Sequence, residues 1–237
     1  MLLNYSRRCM IWKKLIQCKD NIVDILNQHC EEYHEPGMER FNNSKYGWTN
    51  RTWKNNSLRR AHVEVVDARD TKKLWIIHVC MFPALSNGGP IYGFDIISGQ
   101  NKVTGAFHDI SSLERKPQPL TQWFIDNTKS YKPNKERELP QWAKNIFSDG
   151  MIAAGNIQEE KELDQICGIA EYTLKHYLEQ LPNYDGDNHL KEIKQGQNYY
   201  CEQQQQNPHV PRAMLSLGLP EDDVKIFLAD NLFPIVK

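Results

Sequence analysis

The sequence predicts an α/β fold, a three-layer α/β/α sandwich with a central antiparallel β-sheet flanked by helices. Three observations carry that reading. Four short β-like runs, Ala61–Asp67, Leu74–Phe82, Ile91–Ile97 and Lys102–Asp109, follow one another with connections too short for crossover helices, so neighbouring strands should be antiparallel. Stretches with helical spacing of apolar residues lie on both sides of these runs along the chain. The 237 residues, 40% hydrophobic and 25% charged, are enough to bury a proper core. One domain over residues 1–237 is expected, with residues 1–10 read as an extension or a disordered segment.

Each element has its own signal. Trp12, Leu15, Ile22, Ile25 and Leu26 recur at helical spacing, so residues 11–33 read as a helix that Pro36–Gly37 ends. Residues 36–57, rich in Asn, Gly, Ser and Trp, read as loop or irregular edge structure. The strand runs are broken by Arg69-Asp70-Thr71, Ser86-Asn87-Gly88-Gly89-Pro90 and Ser98-Gly99-Gln100-Asn101. Past Pro117, Leu120–Asn127 and Glu159–Leu181 read as helices, the second with Leu163, Ile166, Cys167, Ala170, Leu174 and Tyr177 on one stripe. Residues 128–141 read as a charged loop and Asn183–Asn188 as a turn. A last helical stretch covers Arg212–Leu217 and, after Pro220, Glu221–Asn231.

Composition excludes several classes of function. Lys plus Arg is 29 and Asp plus Glu is 30, so a net charge of −1 offers no global field for wrapping nucleic acid. No apolar run approaches the roughly 20 residues needed to span a bilayer. Leu2–Leu3 before Arg7–Arg8 is no signal-peptide core. The expectation is a cytoplasmic monomer without membrane or nucleic-acid partners. Six scattered cysteines form no C-x-x-C pair and no zinc spacing, so they read as reduced, mostly structural thiols. No metal, haem or iron–sulfur motif is visible, and no bound cofactor is expected.

The chemistry is concentrated in polar residues on apolar strands. In Leu74–Phe82 both alternating faces are apolar, which marks a central strand covered on both sides, and His78 is set among them. Asp95 is likewise the one charge in Ile91–Ile97. His62 and Glu64 share a face of Ala61–Asp67, and Thr104, Ala106 and His108 share one of Lys102–Asp109. Buried groups of this kind must be paired, solvated by a cleft or matched by a ligand. Burial and pairing shift their protonation in opposite directions, so such a cluster can hold an exchangeable proton near neutral pH. A structural ion pair is the competing reading. Alternation fixes faces within each strand but not the register between strands.

Read together, R-R-A-H-V-E (59–64), H-V-C-M-F-P (78–83), P-I-Y-G-F-D-I-I-S-G (90–99) and V-T-G-A-F-H-D-I-S-S (103–112) closely resemble the ferredoxin-dependent bilin reductases. R-E-L-P-Q-W (137–142), I-F-S-D (146–149), Y-C-E-Q-Q-Q-Q-N (200–207) and F-L-A-D-N-L-F (227–233) resemble that family's later blocks. The likeness runs from about Arg59 to the terminus. His at 78 resembles the phycocyanobilin:ferredoxin oxidoreductase clade, and the chain looks most like its marine phage branch, PcyX, which would place it in a host cyanobacterial cytoplasm.

The resemblance implies a cofactor-free enzyme that reduces biliverdin IXα in one-electron steps, each followed by protonation, with reduced [2Fe–2S] ferredoxin as external donor. It implies catalytic roles for Asp95, which protonates the bilin, for His78, which shares a proton at the lactam oxygens, and for Glu64, used in vinyl-group reduction. Arg137 matches an arginine that binds a substrate propionate, and His62 and Thr104 match lesser pocket contacts. Many relatives carry an aspartate where this chain reads Asn207-Pro208-His209-Val210-Pro211-Arg212; His209 or Asn207 is a candidate substitute at the substrate. Glu64 alone favours phycocyanobilin as product. Likeness to the phage branch favours phycoerythrobilin by way of 15,16-dihydrobiliverdin. A bilin carrier or lyase is the rival from another class. Lys13–Lys14, Arg59–Arg60 and Lys72–Lys73 are candidate docking charges for an acidic donor protein.

Overall fold

The computed structural model describes residues 2–99, 102–114, 117–186 and 189–237, with side chains from Met10 onward. Its middle layer is a seven-stranded antiparallel meander in which every strand pairs with the next in the chain. The strands are β1 (Glu31–Tyr33), β2 (Trp48–Lys54), β3 (Leu58–Ala68), β4 (Leu74–Pro83), β5 (Ile91–Ser98), β6 (Val103–Ser111) and β7 (Ile152–Ile157). The helices are α1 (Leu2–His29), α2 (Pro119–Thr128), α3 (Gln141–Lys144), α4 (Glu160–Gln180), α5 (Leu190–Gln204), α6 (His209–Ser216) and α7 (Glu221–Ile226). A π-helical turn, Phe227–Leu232, continues α7.

Alternation along the strands divides the core in two. Val63, Ile77, Val79, Phe94 and Ile96 point to one face, against Leu15, Ile22 and Leu26 of α1, Phe124 of α2 and Leu163, Ile166 and Leu174 of α4. Full burial of an Ile or Val side chain is worth about 1.5–3 kcal/mol, so this face anchors the sheet. Val66, Cys80, Phe82 and Ile91 point the other way, towards Tyr200 and Cys201 of α5, Met214 of α6, Val224 of α7 and the tail residues Phe227 and Phe233. The α/β/α sandwich is as the sequence predicts, with β4 covered on both sides.

The structure corrects several element readings. The first helix ends at His29, and Glu31–Tyr33 form edge strand β1 instead of its last turn, because the apolar stripe runs out at Leu26 and Tyr33 pairs with Thr52. The segment read as loop over 36–57 contains β2. Its Trp-Thr-Asn-Arg-Thr-Trp-Lys run contains strand-favouring Trp and Thr but no aliphatic alternation, and the ladder to β3 stabilises it. Neither β7 nor α5 was legible as an element; β7 is only Ile-Ala-Ala-Gly-Asn-Ile, and α5 is strongly polar. The turn residues Gln100, Asn101, Asp187 and Asn188 lie outside the described residues. No helix of the described residues is long and apolar enough to cross a membrane.

Candidate active site

Directly paired residues of antiparallel strands project to the same face. The register pairs Asn50 with Glu64, Glu64 with His78, His78 with Asp95 and Asp95 with Phe107, so these residues form one row across β2–β6. At roughly 4.8 Å per strand, Glu64 to Phe107 spans about 14 Å. His62 lies in the next row, beside Thr52 and Cys80. The row is on the sheet face covered by α5, α6 and the tail, where Phe233 meets the His78 ring edge-on at 5.6 Å. The residues for which the sequence could assign only a strand face are brought side by side.

His78 Nδ1 and Asp95 Oδ1 are 2.5 Å apart. Burial pulls the imidazole towards the neutral form, but the charge and hydrogen bond of Asp95, helped by Glu64, outweigh it and raise its pKa. The pairing with Asp95 thus favours the imidazolium form of His78 over the neutral ring. Burial lifts the Glu64 carboxyl to about 7 against the pull of His78, with Asp95 adding to the rise. The nearby Trp48 indole, whose N–H makes no described hydrogen bond, lowers it least of these causes. His62 is held neutral by burial and by the charges of Arg60 and His78. Its Nε2 lies 3.0 Å from Asn50 Oδ1, so Nε2 donates and Nδ1 presents a bare lone pair.

Exposure is graded along the row. Glu64 is 2% exposed, and the side chains of His78 and Asp95 are 12% and 34% exposed. The site is closed at β3 and opens towards β6 and β7. Six of the seven buried side-chain polar atoms without a hydrogen-bond partner among the described residues belong to this patch: Trp48 Nε1, Arg60 Nη1 and Nη2, His62 Nδ1, Glu64 Oε1 and His78 Nε2. An unsatisfied buried group costs about 1–3 kcal/mol, so a ligand with complementary donors and acceptors recovers a substantial free energy here. His108 on the opposite face is the contrast. Both its nitrogens are bonded, to the Gly93 carbonyl at 2.7 Å and to Thr173 Oγ1 at 2.6 Å, and burial holds its pKa down to about 4. It is a satisfied core histidine.

Arg137 stands at the open end. Its backbone N–H donates to the Ala153 carbonyl on the edge of β7, and Nη1 reaches the Thr104 carbonyl at 3.4 Å. The guanidinium lies 5.4 Å from the Phe107 ring centroid, beside the row. Thr104 sits where β5 and β6 shift register, its hydroxyl bonded to the Ile97 carbonyl at 3.0 Å. Asn207 and His209 are not tied to the row by any described hydrogen bond. The Asn207 amide oxygen accepts from the His209 backbone N–H at the start of α6, and the His209 ring is exposed.

The docking charges are redistributed. Arg59 is half-buried, bonded to Gln197 and to the Pro234 carbonyl, and Arg60 is buried beside Glu35, so neither is a surface charge. Lys14 pairs with Asp164 at 2.7 Å. Lys13, Lys72 and Lys73 are exposed. Sequence reasoning missed Trp48, Asn50, Arg60 and Phe233 as neighbours of the site. Strand parity with His62 and Glu64 was a signal available for Arg60 alone.

The sequence model of the ferredoxin-dependent bilin reductases matches residues 13–234. The chain belongs to that family. Phycocyanobilin:ferredoxin oxidoreductase of Trichodesmium erythraeum is 29% identical over 177 residues, 73% of this chain and 70% of that protein. The enzyme of the same name from Gloeobacter violaceus is 29% identical over 190 residues, covering 78% and 73%. Among solved structures, a PcyX protein superposes with TM-score 0.72 at 45% identity, covering 94% of this chain and 99% of that one. Tomato phytochromobilin synthase in complex with biliverdin has TM-score 0.70 at 14% identity, covering 94% and 82%, a likeness of fold. The chain is thus a PcyX-like bilin reductase, an oxidoreductase whose family takes electrons from ferredoxin.

Proposed function

We propose that this bilin reductase converts biliverdin IXα to phycoerythrobilin by way of 15,16-dihydrobiliverdin. It takes four electrons, one at a time, from reduced [2Fe–2S] ferredoxin and adds four protons. The row Glu64–His78–Asp95 carries the reading. A linear tetrapyrrole presents carbonyl and N–H groups along its conjugated plane, and this patch offers unpaired donors and acceptors to meet them. Each electron added to such a π system makes it more basic, so a proton must follow. Asp95, open enough to face a ligand, protonates the reduced bilin. His78 shares its proton with the lactam oxygens, and Glu64 holds a further proton near neutral pH. His62 Nδ1 accepts from a ligand N–H. Arg137 receives a propionate beside Thr104, and His209 or Asn207 stands at the α6 side of the pigment.

A second reading, reduction to phycocyanobilin, is favoured by Glu64 and by the names of the cyanobacterial relatives. The deciding experiment is anaerobic turnover of biliverdin with ferredoxin and a reducing system, followed by chromatography against both products. Phycoerythrobilin supports the first reading and phycocyanobilin the second; a single absorbance shift without turnover would identify a carrier. Asp95→Asn is expected to bind biliverdin with little change in affinity and to lose at least about 100-fold in turnover, the scale of general acid catalysis. Full turnover by that variant removes Asp95 from its role.

A further inference from the structure

Arg60 is a buried cation that none of these roles uses. It lies on β3 two residues before His62 and four before Glu64, about 7 and 13 Å away along the strand and on the same face. Its side chain is 3% exposed, and Nε donates to Glu35 Oε2 at 2.8 Å. Nη1 and Nη2 are buried without a hydrogen-bond partner. The adjacent Arg59 shows what a structural arginine on this strand looks like. Its Nε donates to Gln197 Oε1, its Nη2 to the Pro234 carbonyl, and its guanidinium stacks over Phe82. The charge of Arg60 opposes protonation of both His62 and His78, which puts it within electrostatic reach of the row.

Two guanidinium nitrogens buried without a protein partner call for an acceptor, and the surroundings select its charge. Glu35 already neutralises Arg60. A second carboxylate would bring uncompensated negative charge into a buried patch that holds Glu64, whereas a carbonyl oxygen satisfies the donors without adding charge. We propose that Arg60 is a substrate-binding residue whose free fork nitrogens donate to the lactam carbonyl oxygen of one terminal bilin ring, at the end of the site away from Arg137. The proposal rests on the bilin reductase reading and adds a second anchor to it. The exposed arginine takes a carboxylate and the buried one a neutral oxygen.

Binding titrations without reductant, using biliverdin IXα and its dimethyl ester, test this. Arg60→Gln is expected to weaken both pigments by the same factor, about tenfold, since the ester keeps its lactams. Arg60→Lys keeps the charge beside Glu35 and so the fold, but loses the fork; it should weaken both roughly threefold. A loss confined to the free acid would make Arg60 a propionate site and overturn the proposal. Unchanged affinity in Arg60→Lys for both pigments also overturns it, whether or not Arg60→Gln folds. A wild-type chain that binds neither pigment overturns the functional reading itself, before Arg60 is at issue.

Discussion

Glu64 ties stability to pH through one side chain. Its carboxyl titrates near 4.5 when free and at about 7 in the fold, chiefly because it is buried. Between those values the native state holds a proton that the unfolded chain has released. The associated stabilisation is complete below pH 4.5 and is lost as pH rises through 7, a change on the order of 3 kcal/mol. Glu64→Gln is neutral at every pH and should make unfolding free energy less dependent on pH across that window. The slope should shrink without vanishing, because Asp95 raises His78 as well and its contribution has the same sign. Denaturant unfolding at pH 5 and pH 8 measures the difference, and an unchanged slope would show that Glu64 is not the buried acid. At this scale the candidate acid and base residues were legible in the sequence, since a charged group on an apolar strand is conspicuous. Arg60 was not, because two adjacent arginines at a strand start look like a solvated pair.

The edge formed by β6 and β7 sets the position of Arg137. A Cβ at Gly155 would lie 2.8 Å from Arg137 Cγ and 3.1 Å from Cδ, and one at Gly105 would lie 2.8 Å from Nη1 and 2.9 Å from Phe107 Cε2. The two glycines leave a bare track along which the arginine stem crosses the sheet. Gly155→Ala should lift the stem off that track. Affinity for free-acid biliverdin should then fall about three- to tenfold while affinity for the dimethyl ester holds, on the scale of one ordinary hydrogen bond. Equal losses for both pigments would mean that the glycine shapes the sheet and not the arginine. Periodicity found β3 to β6, whose apolar alternation is strong. It missed β1, β2, β7 and α5, where polar or very short segments are held by neighbours distant in sequence.

At the scale of the molecule, a net charge of −1 leaves association with an acidic donor protein to local charges. With Arg59 half-buried and bonded, Arg60 buried and Lys14 paired, the exposed Lys13, Lys72 and Lys73 remain as candidate docking charges. Ferredoxin-dependent turnover should fall several-fold between about 0.05 and 0.5 M salt, as screening shortens to a few ångströms, while biliverdin affinity changes little. Turnover indifferent to salt would exclude electrostatic docking.

The amino-acid sequence by itself determined the α/β class, the order of the central strands, the face on which each polar residue lies within its strand, and the family likeness. These follow from local alternation and from short blocks of residues. Only the tertiary structure decided that Glu64, His78 and Asp95 stand in one row, that the row closes at β3 and opens towards β7, and that Arg60 is turned from surface to interior. The physical reason is that alternation repeats every two residues, whereas register depends on pairing between strands, and a slip of one residue would send each of these side chains to the opposite face.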